Sequence, residues 1–299
     1  MLKRSPRQFP ALAAVLSLLV TFGVADAARG ADEHHTLWVA RGAHNSVVLL
    51  GSVHMLKPGA SELPPEAAQA YAHAKALVME VDLNALNAED LLTAMSNQSA
   101  MAEDQTLAEA LGPALYDRFR KQARVLGLDA DMLAHTQPWL AALALDQAQM
   151  AKLGYASAAG VDEQLAHQAA ADHKPIVGLE TVEEQLGVFA RLSAAQQRRF
   201  LAYTLDEEER AGDELEHMVS AWRRGDTVAL EQLLQEGFED FPDLLAVLTT
   251  ERNRRWLATL LPLLAENQDY LVVVGAMHLV GKNGLVELLR QRGYSVTQH

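Results

Sequence analysis

The chain has 299 residues, 49% of them hydrophobic, so it can bury a full core either as one large domain or as a domain with a sizeable insertion. It contains no cysteine, which excludes disulfides, cysteine nucleophiles and thiolate metal sites and leaves His, Asp and Glu as the strong ligands. A formal net charge of −14 excludes nucleic acid and anionic lipid as natural partners, because their phosphates would meet an acidic surface.

Residues 1–27 have the grammar of a signal peptide: Lys3, Arg4 and Arg7 in front, an apolar run from Ala11 to Val24, and the small-residue site Ala25-Asp26-Ala27. The run is shorter than the ~20 residues that span a bilayer, which favours cleavage over anchoring. No later stretch is long and apolar enough to cross a membrane, so residues 28–299 are expected as an exported chain, free of the membrane, in a Gram-negative periplasm.

Two short strands are predicted at 37–41 and 46–51, separated by the turn Gly42-Ala43-His44-Asn45. Gly51 breaks the second. Pro58, Gly59, Pro64 and Pro65 mark a loop and a helix start, and that helix leads at about Ala74 into a third strand, 76–81. A helix between two strands suits a parallel crossover that brings both strand ends to one edge of the sheet. From about 87 to 171 the spacing of apolar residues is helical throughout, which reads as a large helical insertion. A strand at 175–179 follows, then helices from Val182 to about Glu266 with breaks near Gly225, Gly237 and Pro242. The final segment repeats the opening pattern: a strand at 270–274, Gly275-Ala-Met-His278, a turn, a helix at 285–292 and a strand at 294–297. The expected fold is therefore α/β, a central and mostly parallel sheet built from two related Gly-x-x-His halves.

The chemistry points to those two motifs. His54 and His278 each stand three residues past a glycine that ends a buried-looking strand, where open α/β sheets bind their ligands; the glycine lets the backbone turn sharply there. One such histidine would merely hydrogen-bond a loop, whereas a repeated pair argues for a site. Glu80 interrupts an apolar strand; alternation groups it with Val78 and Asp82. Its burial requires pairing, protonation or a metal. Glu180 ends the strand before Thr181, which together with Glu184 forms a helix-capping pair. Arg252 and Asn253 lie on a late helix, where the guanidinium could balance carboxylates or hold an oxyanion, or simply face solvent. Asp162 and Gln164 could face the same edge, but a helix cap accounts for Asp162. His73, His135, His167, His173 and His217 read as solvent-facing, and His34 and His35 as disordered. There is no Gly-x-Ser-x-Gly, His-Glu-x-x-His or phosphate-loop motif.

Taken together, Leu49-Leu-Gly-Ser-Val-His-Met-Leu-Lys-Pro-Gly59, Ala76-Leu-Val-Met-Glu-Val-Asp-Leu83, Gly178-Leu-Glu-Thr-Val-Glu-Glu-Gln185, Leu248-Thr-Thr-Glu-Arg-Asn-Arg-Arg-Trp256 and Val274-Gly-Ala-Met-His-Leu-Val-Gly281 closely resemble the bacterial TraB/GumN proteins, across essentially all of residues 28–299. That family is related to the metal-dependent Tiki proteases and, more distantly, to erythromycin esterases and haem-binding ChaN proteins. The resemblance implies site roles for His54, Glu80 and His278 and favours Arg252 as a fourth member. Tiki and the pheromone-shutdown members carry membrane anchors that this chain lacks, so their substrates do not transfer with the fold.

The expectation is thus an exported, peptidase-like hydrolase acting on a peptide or small-molecule substrate. His54, Glu80 and His278 would hold a divalent metal of the Mn, Co or Zn class, Glu180 or Asp82 would accept a proton, and Arg252 would stabilise the oxyanion. The alternatives are a metal-free esterase-like hydrolase with His54 as base, or a non-catalytic peptide- or haem-binding protein.

Overall fold

The computed structural model describes residues 35–299 except 61, 86 and 208–210; the segment 1–27 read as a signal peptide and His34 lie outside the described residues. The sheet has six strands, β1 (Leu37–Arg41), β2 (Ser46–Ser52), β3 (Leu77–Met79), β4 (Ile176–Gly178), β5 (Tyr270–Gly275) and β6 (Ser295–Gln298), in the order β4-β3-β5-β2-β1-β6. The four strands β4, β3, β5 and β2 run parallel, and β1 pairs antiparallel with both β2 and β6. The fold is α/β, with a mixed, mostly parallel sheet.

The topology places the two related halves side by side. After β2 the chain passes through α1 (Pro65–His73) to β3, leaving between them a gap that β5 fills some two hundred residues later. Leu49 to Ser52 pair with Val272 to Gly275, so the two Gly-x-x-His loops leave neighbouring strands at the same edge of the sheet. Parallel strands buried on both faces need not alternate. Accordingly Leu77, Val78, Met79, Glu80 and Val81 are all buried, where the sequence pattern had suggested two distinct faces.

Between β3 and β4 lie α2 (Ala88–Ser99), α3 (Leu107–Leu111), α4 (Pro113–Leu126), α5 (Pro138–Lys152) and α6 (Val161–Ala171). Between β4 and β5 lie α7 (Val182–Ala190), α8 (Ala194–Glu207), α9 (Ala211–Arg223), α10 (Thr227–Gly237), α11 (Pro242–Leu245) and α12 (Glu251–Leu263), and α13 (Leu285–Arg290) joins β5 to β6. The helices on either side of β4 share one core: Trp139 of α5 stacks on Phe189 of α7 at 5.6 Å, and Phe189 stacks on Phe200 of α8 at 6.1 Å. Thr181 and Glu184 form the expected capping box of α7. His73, His135, His167, His173 and His217 are exposed, as read from the sequence. His35 is ordered instead of disordered, because its backbone N–H donates to the His299 carbonyl at 2.5 Å.

One contact ties the helical region to the end of β2. The Val161 N–H at the start of α6 donates to the Val53 carbonyl at 3.0 Å, and Gly160 lies so close beneath that a Cβ there would stand 2.1 Å from the His54 carbonyl oxygen. Glycine is required for this approach, since backbone atoms cannot yield as a side chain could. Gly160→Ala should therefore lower stability in urea unfolding by about 1–3 kcal/mol. Gly212→Ala, where a Cβ would meet nothing within 4 Å, is the neutral comparison. Equal stability of the two variants would show that α6 is not seated on the His54 loop.

Candidate functional site

Glu80 is the point on which the site converges. It stands one residue beyond β3, because the strand ladder closes at Met79 and the Glu80 carbonyl accepts both the Leu179 and Glu180 N–H groups. Its Oε1 accepts the Gly275 N–H at 2.8 Å, and its Oε2 accepts from Gln185 Nε2 at 3.0 Å and from Arg252 Nη2 at 2.6 Å. His54 Nε2 and His278 Nε2 lie 4.0 and 3.9 Å from the same Oε1. A Cβ on Gly275 would sit 3.4 Å from both Glu80 Oε1 and His54 Nε2, within ordinary contact distance. The motif glycines Gly51 and Gly275 do not take positive φ, so neither makes the sharp turn expected of it; Gly51 instead serves close packing, since a Cβ there would stand 3.0 Å from the Ala276 Cα.

Arg252 is fully engaged. A π-helical turn, Ala246–Thr250, precedes α12 and presents Arg252, Asn253 and Trp256 to the sheet edge. Nε and Nη2 of Arg252 grip Glu180 at 2.6 to 3.2 Å, Nη2 also reaches Glu80, and Nη1 donates to the Leu248 carbonyl at 3.0 Å and to His278 Nε2 at 3.1 Å. Every N–H of the guanidinium thus has an acceptor. Trp256 lies 4.7 Å from the guanidinium carbon and 4.5 Å from the His278 ring, and its Nε1 donates to Glu180 at 3.3 Å.

The outer nitrogens of both histidines are pinned, and the hydrogen positions follow from the partners. Asn253 Nδ2 donates to the carbonyls of His278 and Asn283, so its Oδ1 faces His278 Nδ1 at 2.6 Å and that nitrogen carries the hydrogen. His54 Nδ1 lies 2.9 Å from Asp162 Oδ2, while Asp162 Oδ1 accepts from Ser52 Oγ at 2.6 Å. Asp162 is therefore not the helix cap that sequence favoured. The capping position of α6 is Gly160, and the Asp162 side chain, in the first turn, is turned to the sheet edge.

Each shift in proton affinity has a visible cause. Asp162 raises His54 from the ordinary 6.5 to about 9 against the opposing effect of burial, with Glu80 adding to the rise. His54 is also the open end of the site, 39% of its side chain being exposed, so salt screens this pairing. Burial, reinforced by Arg252, lowers His278 to about 3, leaving it neutral. Burial alone would raise Glu80, but Arg252, His278, His54 and the Gly275 N–H hold it well below the usual carboxylate range. The two carboxylates likewise raise Arg252 against its burial.

The structure thus brings His54, Glu80, Glu180, Arg252 and His278 into one cluster. Glu180 is only 2% exposed in its side chain, gripped by Arg252, with Arg255 Nη2 at 3.5 Å. Asp82 stands apart, its carboxylate accepting the N–H groups of Asn84 and Ala85 in a local turn. Gln185, Ser52 and Trp256 were not singled out from the sequence. Gln185 had one usable signal, its place one turn inside the capped helix that follows Glu180.

The sequence model of the TraB/PrgY/gumN family matches residues 36–298. The chain belongs to this family. It is 28% identical to the uncharacterized protein YbaP of Escherichia coli strain K12, over 81% of this chain and 87% of that protein. It is 23% identical to metalloprotease TIKI2 of Xenopus tropicalis, over 89% of this chain but only 60% of that one, and 39% identical to a metalloprotease TIKI homolog of Amphimedon queenslandica over a stretch covering 18% of this chain and 11% of that protein. No solved structure matches.

The shifts set a pH profile of stability. His54 binds its proton more tightly folded than unfolded, so its contribution is complete below pH 6.5 and is lost as pH rises through about 9. His278 stays neutral when folded while the unfolded chain takes up a proton, so stability falls as pH drops from 6.5 towards 3. Thermal unfolding across pH should show His54→Gln flattening the alkaline fall and His278→Gln flattening the acid one. An alkaline limb unchanged by His54→Gln would refute the His54–Asp162 pairing.

Proposed function

We propose that this protein is a metal-dependent hydrolase of peptide or ester bonds whose working groups are His54, Glu80, His278 and Arg252. One observation carries the reading: two imidazole Nε2 atoms from separate halves of the chain meet one buried carboxylate oxygen, at 4.0 and 3.9 Å. The similarity to Tiki metalloproteases supports it from an independent side.

The donor set suits a divalent ion of the Mn, Co or Zn class in the type of its atoms. It offers two nitrogens and a carboxylate oxygen, with both outer ring N–H groups held by oxygen acceptors. Among the described residues no three His, Asp or Glu side chains stand as close as coordination requires, and Arg252 occupies the His278 lone pair. To hold the ion, His54, Glu80 and His278 would have to close in and His278 Nε2 would have to give up its contact with Arg252; the ion would then supply Lewis acidity towards a carbonyl and a water. Arg252 offsets the carboxylate charge at the cluster, and with all its N–H groups committed as they stand here it would act on a developing oxyanion through its charge and not by a hydrogen bond. Neither proton acceptor named from sequence is free for that task. Glu180 anchors Arg252, and Asp82 closes its own turn.

A second reading has specific support. In a metal-free hydrolase His54, backed by Asp162, would act as the base once deprotonated, so activity would rise as pH approaches about 9, while Arg252 keeps its contact with His278. Chelation separates the two. Protein prepared without a His tag should contain stoichiometric metal, and His54→Ala, Glu80→Ala and His278→Ala should each lose metal and hydrolysis together. Activity that survives exhaustive chelation replaces the metal reading with the His54 base.

The proposed setting is the periplasm, after cleavage at Ala27, with peptides or small molecules as substrates. Among the described residues no helix is long and apolar enough to cross a membrane. Mass spectrometry of the exported protein should find a chain lacking residues 1–27; an intact Met1 would overturn the export proposal.

A further inference from the structure

The hydrogen-bond chain Ser52–Asp162–His54 enters the readings above only as a backing for His54, and its geometry is that of an orienting device. Asp162 comes from α6, 108 residues along the chain from His54, and is delivered to the sheet edge by the Gly160–Val161 contact with the end of β2. Both of its oxygens are committed. Oδ1 accepts from Ser52 Oγ at 2.6 Å and Oδ2 from His54 Nδ1 at 2.9 Å. A carboxylate only accepts, so the hydrogen on His54 Nδ1 is specified and Nε2 is left as the end that faces Glu80. His54 needs such a hold more than His278 does. His278 is packed under Trp256 and held by Asn253, whereas His54 sits on a loop with 39% of its side chain exposed. Without Asp162, no polar partner of its ring nitrogens among the described residues is closer than the 4.0 Å contact to Glu80.

We infer that Asp162 is the positioning residue of the site: through its bond to Nδ1 it fixes the ring orientation of His54 and the tautomer of its neutral form and directs Nε2 to Glu80, while Ser52 locks the carboxylate in place. The inference deepens the hydrolase proposal, in which Nε2 is the working atom, but the bond itself does not depend on that proposal. Asp162→Asn keeps the shape of the side chain while adding a donor that can face Nδ1 and invert the tautomer. Ser52→Ala keeps the bond to His54 and removes only the lock, so it should have a weaker effect of the same kind.

The test uses the full exported chain, labelled with nitrogen-15 histidine and freed of metal. The wild type should show two downfield, exchange-protected imidazole N–H resonances, that of His278 on Asn253 and a second that disappears in His54→Gln and is thereby assigned to His54. That resonance should be lost in Asp162→Asn and retained but exchange faster in Ser52→Ala. Titration with zinc alone should show about 10–100-fold weaker binding in Asp162→Asn, with the melting temperature of each metal-free variant recorded to separate misfolding from misorientation. Absence of the protected proton in the wild type, or its persistence in Asp162→Asn, overturns the inference. If the proton behaves as expected but the wild type neither binds zinc nor hydrolyses anything, the positioning role stands and the hydrolase proposal fails.

Discussion

The site is organised by one constraint, the need to pair the buried charge of Glu80 and Glu180. Burying a carboxylate costs several kcal/mol, roughly, unless a charge and hydrogen bonds compensate it, and two of them lie within reach of one another here. Arg252 resolves this by bridging both with a planar fork while spending its remaining donors on Leu248 and His278. Lysine could not do the same, since a point charge lacks the geometry to satisfy four acceptors at once. The π-helical turn before α12, the indole of Trp256 and the strand ends that carry the buried Glu180 and Glu80 carboxylates all converge on this one contact.

The two histidines are related by the repeat but differ in electrostatics, and the difference comes from their partners. His278 meets a guanidinium and a neutral amide inside the core, so it remains uncharged. His54 meets a carboxylate at the open end of the site, so it favours the charged form. A repeat that supplies two identical side chains thus yields one fixed acceptor and one group whose charge is adjustable by what binds beside it. Membership of the TraB/PrgY/gumN family says that this arrangement sits on a shared scaffold. The activity must still be argued from these contacts, because one scaffold hosts many chemistries.

Sequence alone determined where the strands lie, to within one or two residues, because hydrophobic periodicity and glycine and proline punctuation are local signals. It also singled out His54, His278 and Glu80, the first two by repetition and the third as a charge in an apolar strand, and the missing cysteines restricted the ligands to nitrogen and oxygen. Tertiary structure decided that β5 enters between β2 and β3, which is what brings the two halves together. It also decided that Arg252 faces inward, that Asp162 orients His54 instead of capping α6, and that Gln185 completes the Glu80 shell. These contacts join residues about 70 to 200 positions apart. Local patterns report the period and burial of a segment, whereas the partner of a buried polar group is fixed only by strand register and by how closely a helix can approach, and in this chain that approach depends on the missing side chain of Gly160.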